Sequence, residues 1–169
     1  MDNKRDLAEL MKLLEKELEV YEALLEIAKN KQQAVVEGEV DNLRNLIMKE
    51  KAMVKMCEKA AHSRTLFINE YCKKRNIKAL DIPLKDFIGF SQEPEKKKLE
   101  NLRYQLKNIL NEIKSVNRQN ETLLHFSLNH IKKMTNIFLH SSSEEMNMYN
   151  FNGKKYNKEL GQKFVNRQI

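Results

Sequence analysis

Hydrophobic side chains recur every seven residues along three long stretches of the chain. The first stretch has two neighbouring columns of this kind, widened by Leu10 and Leu24: Leu7, Leu14, Tyr21, Ala28 and Val35, and beside them Met11, Leu18, Leu25 and Gln32. Two adjacent heptad columns are typical of a helix that packs along its length against other helices. We therefore predict a first helix over about 4–37.

The second stretch has the same spacing and predicts a helix over about 41–75. Gly38 can take the left-handed conformation that ends a helix, and Asp41 is a suitable N-cap for the next one. So short a connection makes the two helices an antiparallel hairpin. The inward face of the second helix then consists of Leu43, Leu46, Ile47, Glu50, Met53, Val54, Cys57, Ala60, Ala61, Arg64, Phe67, Ile68 and Tyr71.

The third stretch predicts a helix over about 95–140, which would be about 68 Å long at 1.5 Å per residue. Residues 76–94 are a connector with one short helical turn after Pro83. Its apolar side chains are expected to plug the end of the bundle: Ile82, Leu84, Phe87, Ile88 and Phe90. The predicted fold class is all-α, with three long helices in an elongated antiparallel bundle or coiled coil that forms a domain over 1–141.

Two asparagines interrupt the apolar columns of the third helix. Asn120 lies in the column of Leu106 and Ile113, and Asn117 lies in the neighbouring column. Antiparallel pairing of the second and third helices brings Asn120 level with Glu50, the one carboxylate on the inward face of the second helix, and the first hairpin brings Glu50 level with Ala28. We expect Glu50 to accept a hydrogen bond from Asn117 or Asn120 in a buried polar layer that fixes the register of the helices. The alternative is that the asparagine pair binds a peptide.

The heptad pattern stops near residue 141, and residues 142–169 are polar and include two glycines. Such a stretch is too poor in apolar residues to pack by itself, so we predict a mobile tail that can form a short helix on a partner. Its apolar side chains are candidate binding residues because they have no core to fill: Met146, Met148, Phe151, Tyr156, Leu160 and Phe164. The alternatives are that the tail folds back to finish the core of the bundle, or that it inserts into a second copy to form a homodimer.

The distribution of charge argues against a nucleic-acid ligand, although the net charge is +7. Residues 1–40 carry six Lys and Arg against ten Asp and Glu, whereas residues 41–80 carry ten against four. An acidic segment followed by a basic one is expected of neighbouring helices with complementary faces. The chain also lacks the interleaved aromatic residues and reading folds of nucleic-acid binders.

Residue types and spacings predict no enzyme, no metal site and no cofactor. His125 and His130 are five residues apart, whereas a helical metal pair needs four, and no phosphate loop or activated nucleophile is recognisable. Cys57 and Cys72 would lie about 22 Å apart along one helix, too far for a disulfide. No segment is apolar enough for stable membrane insertion, and the charged N-terminus does not have the pattern of a signal peptide, so we expect a cytoplasmic protein.

The segment from Val116 to Leu128, with its Asn-x-x-Asn-x-x-Leu-Leu pattern, resembles the FlgN family of flagellar export chaperones. A leucine-rich hairpin with an inward glutamate on its second helix precedes this segment, as it does in that family. Tyr149 and Gly153 match the Tyr-x-x-x-Gly stretch that follows the last long helix of the family. The resemblance covers roughly residues 7–155.

The resemblance implies a cytosolic chaperone without ATPase activity. Members of the family bind the C-terminal segments of the hook-associated, or hook–filament junction, proteins, prevent their early assembly and bring them to the type III export gate. The tail residues named above would then bind the client, and Tyr149 would dock to a component of the export gate. The residues also allow a second interpretation, a coiled-coil scaffold or a basic, nucleic-acid-associated helical protein.

Overall fold

The part of the chain that the structure describes is built from helices. The computed structural model describes residues 2–77 and 82–144, and it describes side chains over 4–77 and 82–139. This part contains no strand and has four helices: α1 (Asp2–Glu37), α2 (Val40–Lys74), α3 (Leu84–Ile88) and α4 (Glu95–Glu144). The predicted all-α class is therefore confirmed, and each long helix begins and ends within four residues of its predicted bounds.

The chain reverses direction after α1 through Gly38, whose φ of 71° lies in the left-handed region. The Gly38 amide donates to the Val35 carbonyl (3.4 Å) and the Glu39 amide donates to the Ala34 carbonyl (2.9 Å), which satisfies carbonyls at the end of α1. The predicted role of Gly38 is confirmed. The predicted N-cap is wrong, because Glu39 holds that position and Asp41 lies in the first turn of α2, where its charge still favours the helix N-terminus.

Three ion pairs between α1 and either α2 or its C-cap residue, Arg75, show that these two helices are antiparallel. They join Asp6 to Arg75 (3.2 Å), Glu17 to Arg64 (3.2 Å) and Lys31 to Glu50 (2.7 Å). The residue number on α1 rises while its partner on α2 falls, as a hairpin requires. In two of the three pairs α1 supplies the carboxylate and α2 supplies the cation, in agreement with the predicted complementary charge.

The chain divides into two compact units, residues 1–124 and residues 125–169. The core of the first unit has two clusters of buried side chains. One cluster draws on all four helices: Leu7, Leu10, Leu14, Ile68, Tyr71, Cys72, Phe87, Ile88, Leu99 and Leu106. The other draws on α1, α2 and α4: Leu24, Leu25, Ala28, Cys57, Ile109, Ile113 and Val116. Of the second unit, the structure describes only residues 125–144, the last part of α4.

The short helix α3 contributes side chains to the first cluster. Phe87 and Ile88 are 1% and 2% exposed, and the Phe87 ring meets the Tyr71 ring edge to face at a centroid distance of 4.9 Å. The Arg75 guanidinium lies 3.8 Å from the centre of the same Tyr71 ring. Phe90 departs from the predicted plug because it is 54% exposed. It lies two residues beyond the C-terminal end of α3.

Replacing Phe87 by alanine is expected to lower the free energy of unfolding by about 3–4 kcal/mol, since a fully buried ring is lost and a cavity remains. The matched control is Phe90→Ala, which removes an exposed ring from the same connector and should change stability by about 0.5 kcal/mol or less. Urea denaturation followed by circular dichroism measures both. Equal losses in the two variants would contradict the assignment of Phe87 as the core residue of this connector.

Candidate partner-binding surface

Asn120 is a buried polar contact between α4 and α1. Its side chain is 3% exposed, and its Nδ2 atom donates a hydrogen bond of 2.8 Å to the Ala28 carbonyl oxygen. Ala28 is fully buried, and its small side chain leaves room for the amide. The Asn120 Oδ1 atom has no hydrogen-bond partner. A shift of α4 along α1 would leave the amide nitrogen unpaired as well, so this contact favours one register.

The predicted hydrogen bond between Glu50 and an asparagine is wrong. Both Glu50 carboxylate oxygens instead accept hydrogen bonds from the Lys31 amine, each at 2.7 Å. Asn117 is exposed, because the neighbouring Val116 occupies the core position at 8% exposure. The sequence predicted that Ala28, Glu50 and Asn120 lie at one level, but not which side chains would pair there. A peptide site formed by both asparagines is also wrong, since Asn120 is inside the core.

A buried ion pair that the sequence reasoning missed joins Glu17 to Arg64. The Glu17 side chain is 2% exposed and the Arg64 side chain 25%, and their closest atoms are 3.2 Å apart. The contact is close enough for an ion pair, although the Oε2 atom of Glu17 has no well-aligned hydrogen bond. A signal was present in the sequence, because Glu17 lies seven residues from both Leu10 and Leu24. That spacing places it in a core column of α1.

Burial raises the pKa of Glu17, and the Arg64 charge offsets part of that shift. Burial also raises the pKa of Tyr21 and of Cys57, with the Glu17 charge as a further cause in both. Cys57 and Cys72 are buried free thiols, as predicted. Burial in a helical core is the largest cause of each of these shifts. We therefore assign them to the stability of the first unit.

Past residue 124, α4 presents a broad apolar surface. Its exposed side chains are Phe126 (73%), Leu128 (54%), Ile131 (59%), Met134 (41%) and Ile137 (61%), which we call the α4 apolar surface. Earlier on the same helix, Ile113 and Val116 are each only 8% exposed. Clusters of exposed apolar side chains on this scale mark surfaces that bind other molecules.

The α4 apolar surface continues the column of residues that forms the core of the first unit. Leu106, Ile113 and Asn120 are buried, and the same seven-residue spacing continues through Ser127 to Met134. Helix α1 ends at Glu37, nine residues after Ala28, whereas α4 continues for 24 residues after Asn120. The column therefore passes from buried side chains in the first unit to exposed ones in the second.

The sequence reasoning placed partner binding in the tail and did not identify the α4 apolar surface. The side chains predicted to bind a client, and Tyr149, lie outside the described residues: Met146, Met148, Phe151, Tyr156, Leu160 and Phe164. The missed signal was the continuation of the heptad columns through Ile131 and Met134.

Metal sites and membrane-spanning helices are absent from the described part of the chain. Over residues 4–77 and 82–139, no group of three His, Cys, Asp or Glu side chains is placed to hold a metal ion. None of the described helices is both long enough and apolar enough to cross a membrane. An open groove in the first unit is lined by Gln32, Arg118, Gln119, Thr122 and Leu123. The Gln32 Nε2 atom donates to the Gln119 Oε1 atom across it (3.1 Å), without a nucleophile or a paired acid and base.

Comparison with known proteins gives one match. The profile of the family described as FlgN protein matches residues 1–157, which include all of the described helices and the segment that carries Tyr149. No curated protein and no solved structure gives a significant match to the chain.

Replacing Arg64 by leucine is expected to lower the free energy of unfolding by about 3 kcal/mol near pH 7, because a buried carboxylate loses its cation. Since the pKa of Glu17 is raised in the folded state, the folded chain binds a proton at a higher pH than the unfolded chain does. Acidification therefore favours the folded state of this variant, and the loss should shrink as the pH falls through the raised pKa of Glu17, where the buried carboxyl becomes neutral.

The control is the double variant Glu17→Leu/Arg64→Leu, which replaces the ion pair by apolar side chains and should recover most of the stability. Urea denaturation at several pH values measures all three proteins. If Arg64→Leu lowered the free energy of unfolding by the same amount at pH 4.5 and at pH 7, the Glu17 carboxylate would not be the cause of that loss.

Proposed function

The chain belongs to the FlgN family, which supports a general role as a flagellar export chaperone, and from this premise we propose its specific task. It binds the C-terminal helical segments of hook-associated proteins, which form the hook–filament junction. It prevents these segments from assembling too early, and it delivers them to the type III export gate. Because export starts in the cytoplasm, the proposed place of action is cytoplasmic. The proposal contains no catalytic step, cofactor or metal.

The observation that carries the proposal is the α4 apolar surface. Its central residues, Leu128, Ile131 and Met134, are each three residues apart, so neighbouring members share a face of the helix, as the anchors of helix recognition do. Each such side chain can contribute about 1.5–3 kcal/mol when a partner buries it fully. A client helix that assembles through its own apolar stripe would bind here, and its stripe would be covered while it is bound.

The proposed division of labour assigns a different task to each segment. The three long helices form an antiparallel bundle, which supports α4 in advance, so that binding does not have to order it. The tail adds contacts from Met146, Met148, Phe151, Tyr156, Leu160 and Phe164, of which the last three share one face if the segment is helical. Tyr149 docks to a component of the export gate.

Replacing Ile131 by aspartate is expected to weaken client binding at least tenfold, because a charge would be buried in the apolar contact. The matched control is Tyr104→Asp, which changes an equally exposed side chain of α4 (63% against 59%) in the first unit and should leave binding unchanged. Each variant is co-expressed with the C-terminal segment of a hook-associated protein from the same genome, and the affinity is then measured by calorimetry. Equal binding by both variants would contradict the assignment of this surface.

The tail has its own variant, Leu160→Asp/Phe164→Asp, which should also lower the affinity of the client. The complex is expected to form at a 1:1 ratio and to persist in 0.5 M salt, since apolar contacts dominate it. Binding that disappears steeply as salt is added would favour the nucleic-acid-associated interpretation instead. A chain that binds no client segment in any salt would favour the scaffold.

Replacing Tyr149 by alanine is expected to leave the affinity for the client nearly intact and to reduce export of the client, because Tyr149 is assigned to the gate. Phe151→Ala is the matched control, since it removes a nearby aromatic ring that is assigned to the client. Calorimetry measures affinity, and immunoblotting of culture supernatants measures export. A parallel loss of both quantities in Tyr149→Ala would show that the two tasks are not separate.

A further inference from the structure

The α4 apolar surface lies in a part of the chain that has no acidic residues. Between Glu121 and Glu144 there is no Asp or Glu, whereas Lys132 and Lys133 lie there together with three histidines. Both lysines are exposed, and within the described part of the chain neither has a hydrogen bond or an ion pair. Earlier on the same helix Glu112 is paired with Lys29 at 2.7 Å. The surface is therefore bordered by cations whose counter-charges do not come from the described residues.

Both lysines lie directly beside the apolar side chains. Lys132 is four residues after Leu128, and Lys133 is four residues before Ile137, so each is the next-turn neighbour of a residue of the surface. A helix packed on Leu128, Ile131 and Met134 would place its own flanking positions within reach of these amines, as flanking positions do in coiled coils.

We infer that the partner of the α4 apolar surface is an amphipathic helix with carboxylates on the flanks of its apolar stripe. The inference rests on the proposed function and adds to it the charge pattern by which a client segment is selected. Charge complementarity of this kind speeds association and excludes partners that carry the same charge. A segment with lysines at the flanking positions would be rejected even if its apolar stripe were identical.

The same charges argue against two other occupants. A second copy of this chain would bring its own Lys132 and Lys133 against those of the first, and no carboxylate between residues 122 and 143 could offset the repulsion. An anionic membrane would attract lysines, but helices that lie on membranes usually have a polar face rich in Lys and Arg. Here the lysines number two over 22 residues, and the column at seven-residue spacing favours a helical partner.

The test uses three fluorescent helical peptides that share one apolar stripe and carry glutamate, glutamine or lysine at the flanking positions. The full-length protein should bind the glutamate peptide about tenfold more tightly than the lysine peptide at low salt, with the glutamine peptide between them. Lys132→Glu/Lys133→Glu should abolish or invert this preference. The matched control, Lys107→Glu/Lys114→Glu, reverses two exposed lysines of α4 in the first unit and should keep it.

The outcomes separate this inference from the proposed function. Equal binding of the three peptides, no binding of any of them, or the same preference in both lysine variants would overturn the inference. If Ile131→Asp still weakened binding of the junction-protein segment, the proposed function would stand without the inference about charge. A dimer lost on Ile131→Asp in sedimentation equilibrium, or lysine-dependent flotation with phosphatidylglycerol vesicles, would assign the surface to a second copy or to a membrane and would also overturn the inference.

Discussion

The described structure depends on one feature of α4, a heptad column that begins among the buried side chains of the first unit and ends among exposed ones. The column starts as core, with Leu106 and Ile113 buried against the other helices. It continues with the same seven-residue spacing through Asn120 and Ser127 to Met134, which is 41% exposed. The same periodicity therefore supplies core side chains in one part of α4 and exposed side chains in the next.

The polar contacts of the first unit hold its helices in one register. Apolar heptads are similar from turn to turn and allow helices to slide by one repeat, whereas a buried charge or amide fits at one level only. The ion pairs of Asp6, Glu17 and Lys31 fix α2 against α1, and Asn120 fixes α4 against the Ala28 carbonyl. These contacts contribute modestly to stability, and their main effect is to exclude other registers.

Membership of the FlgN family fits the role proposed for the α4 apolar surface. Glu17, Tyr21 and Cys57 have raised pKa values because they are buried, which stabilises their neutral forms. Exposed apolar side chains carry a risk of aggregation, and Lys132 and Lys133 beside them would repel the same lysines of a second copy. In a chaperone, such repulsion would help to keep the surface available for its client.

The sequence alone determined the helices and their ends, because heptad spacing and the positions of Gly38, Pro83 and Pro94 are local properties. It also determined that α1 and α2 form a hairpin and that Ala28, Glu50 and Asn120 lie near one level, since helices of known rise joined by a short turn allow little else. Only the tertiary structure decided that Asn120 is buried while Asn117 is exposed, that Glu50 pairs with Lys31, and that Glu17 is in the core. Each of these depends on the rotation of a helix about its axis. A heptad pattern defines that rotation only within a broad face, and contact with two neighbouring helices settles it.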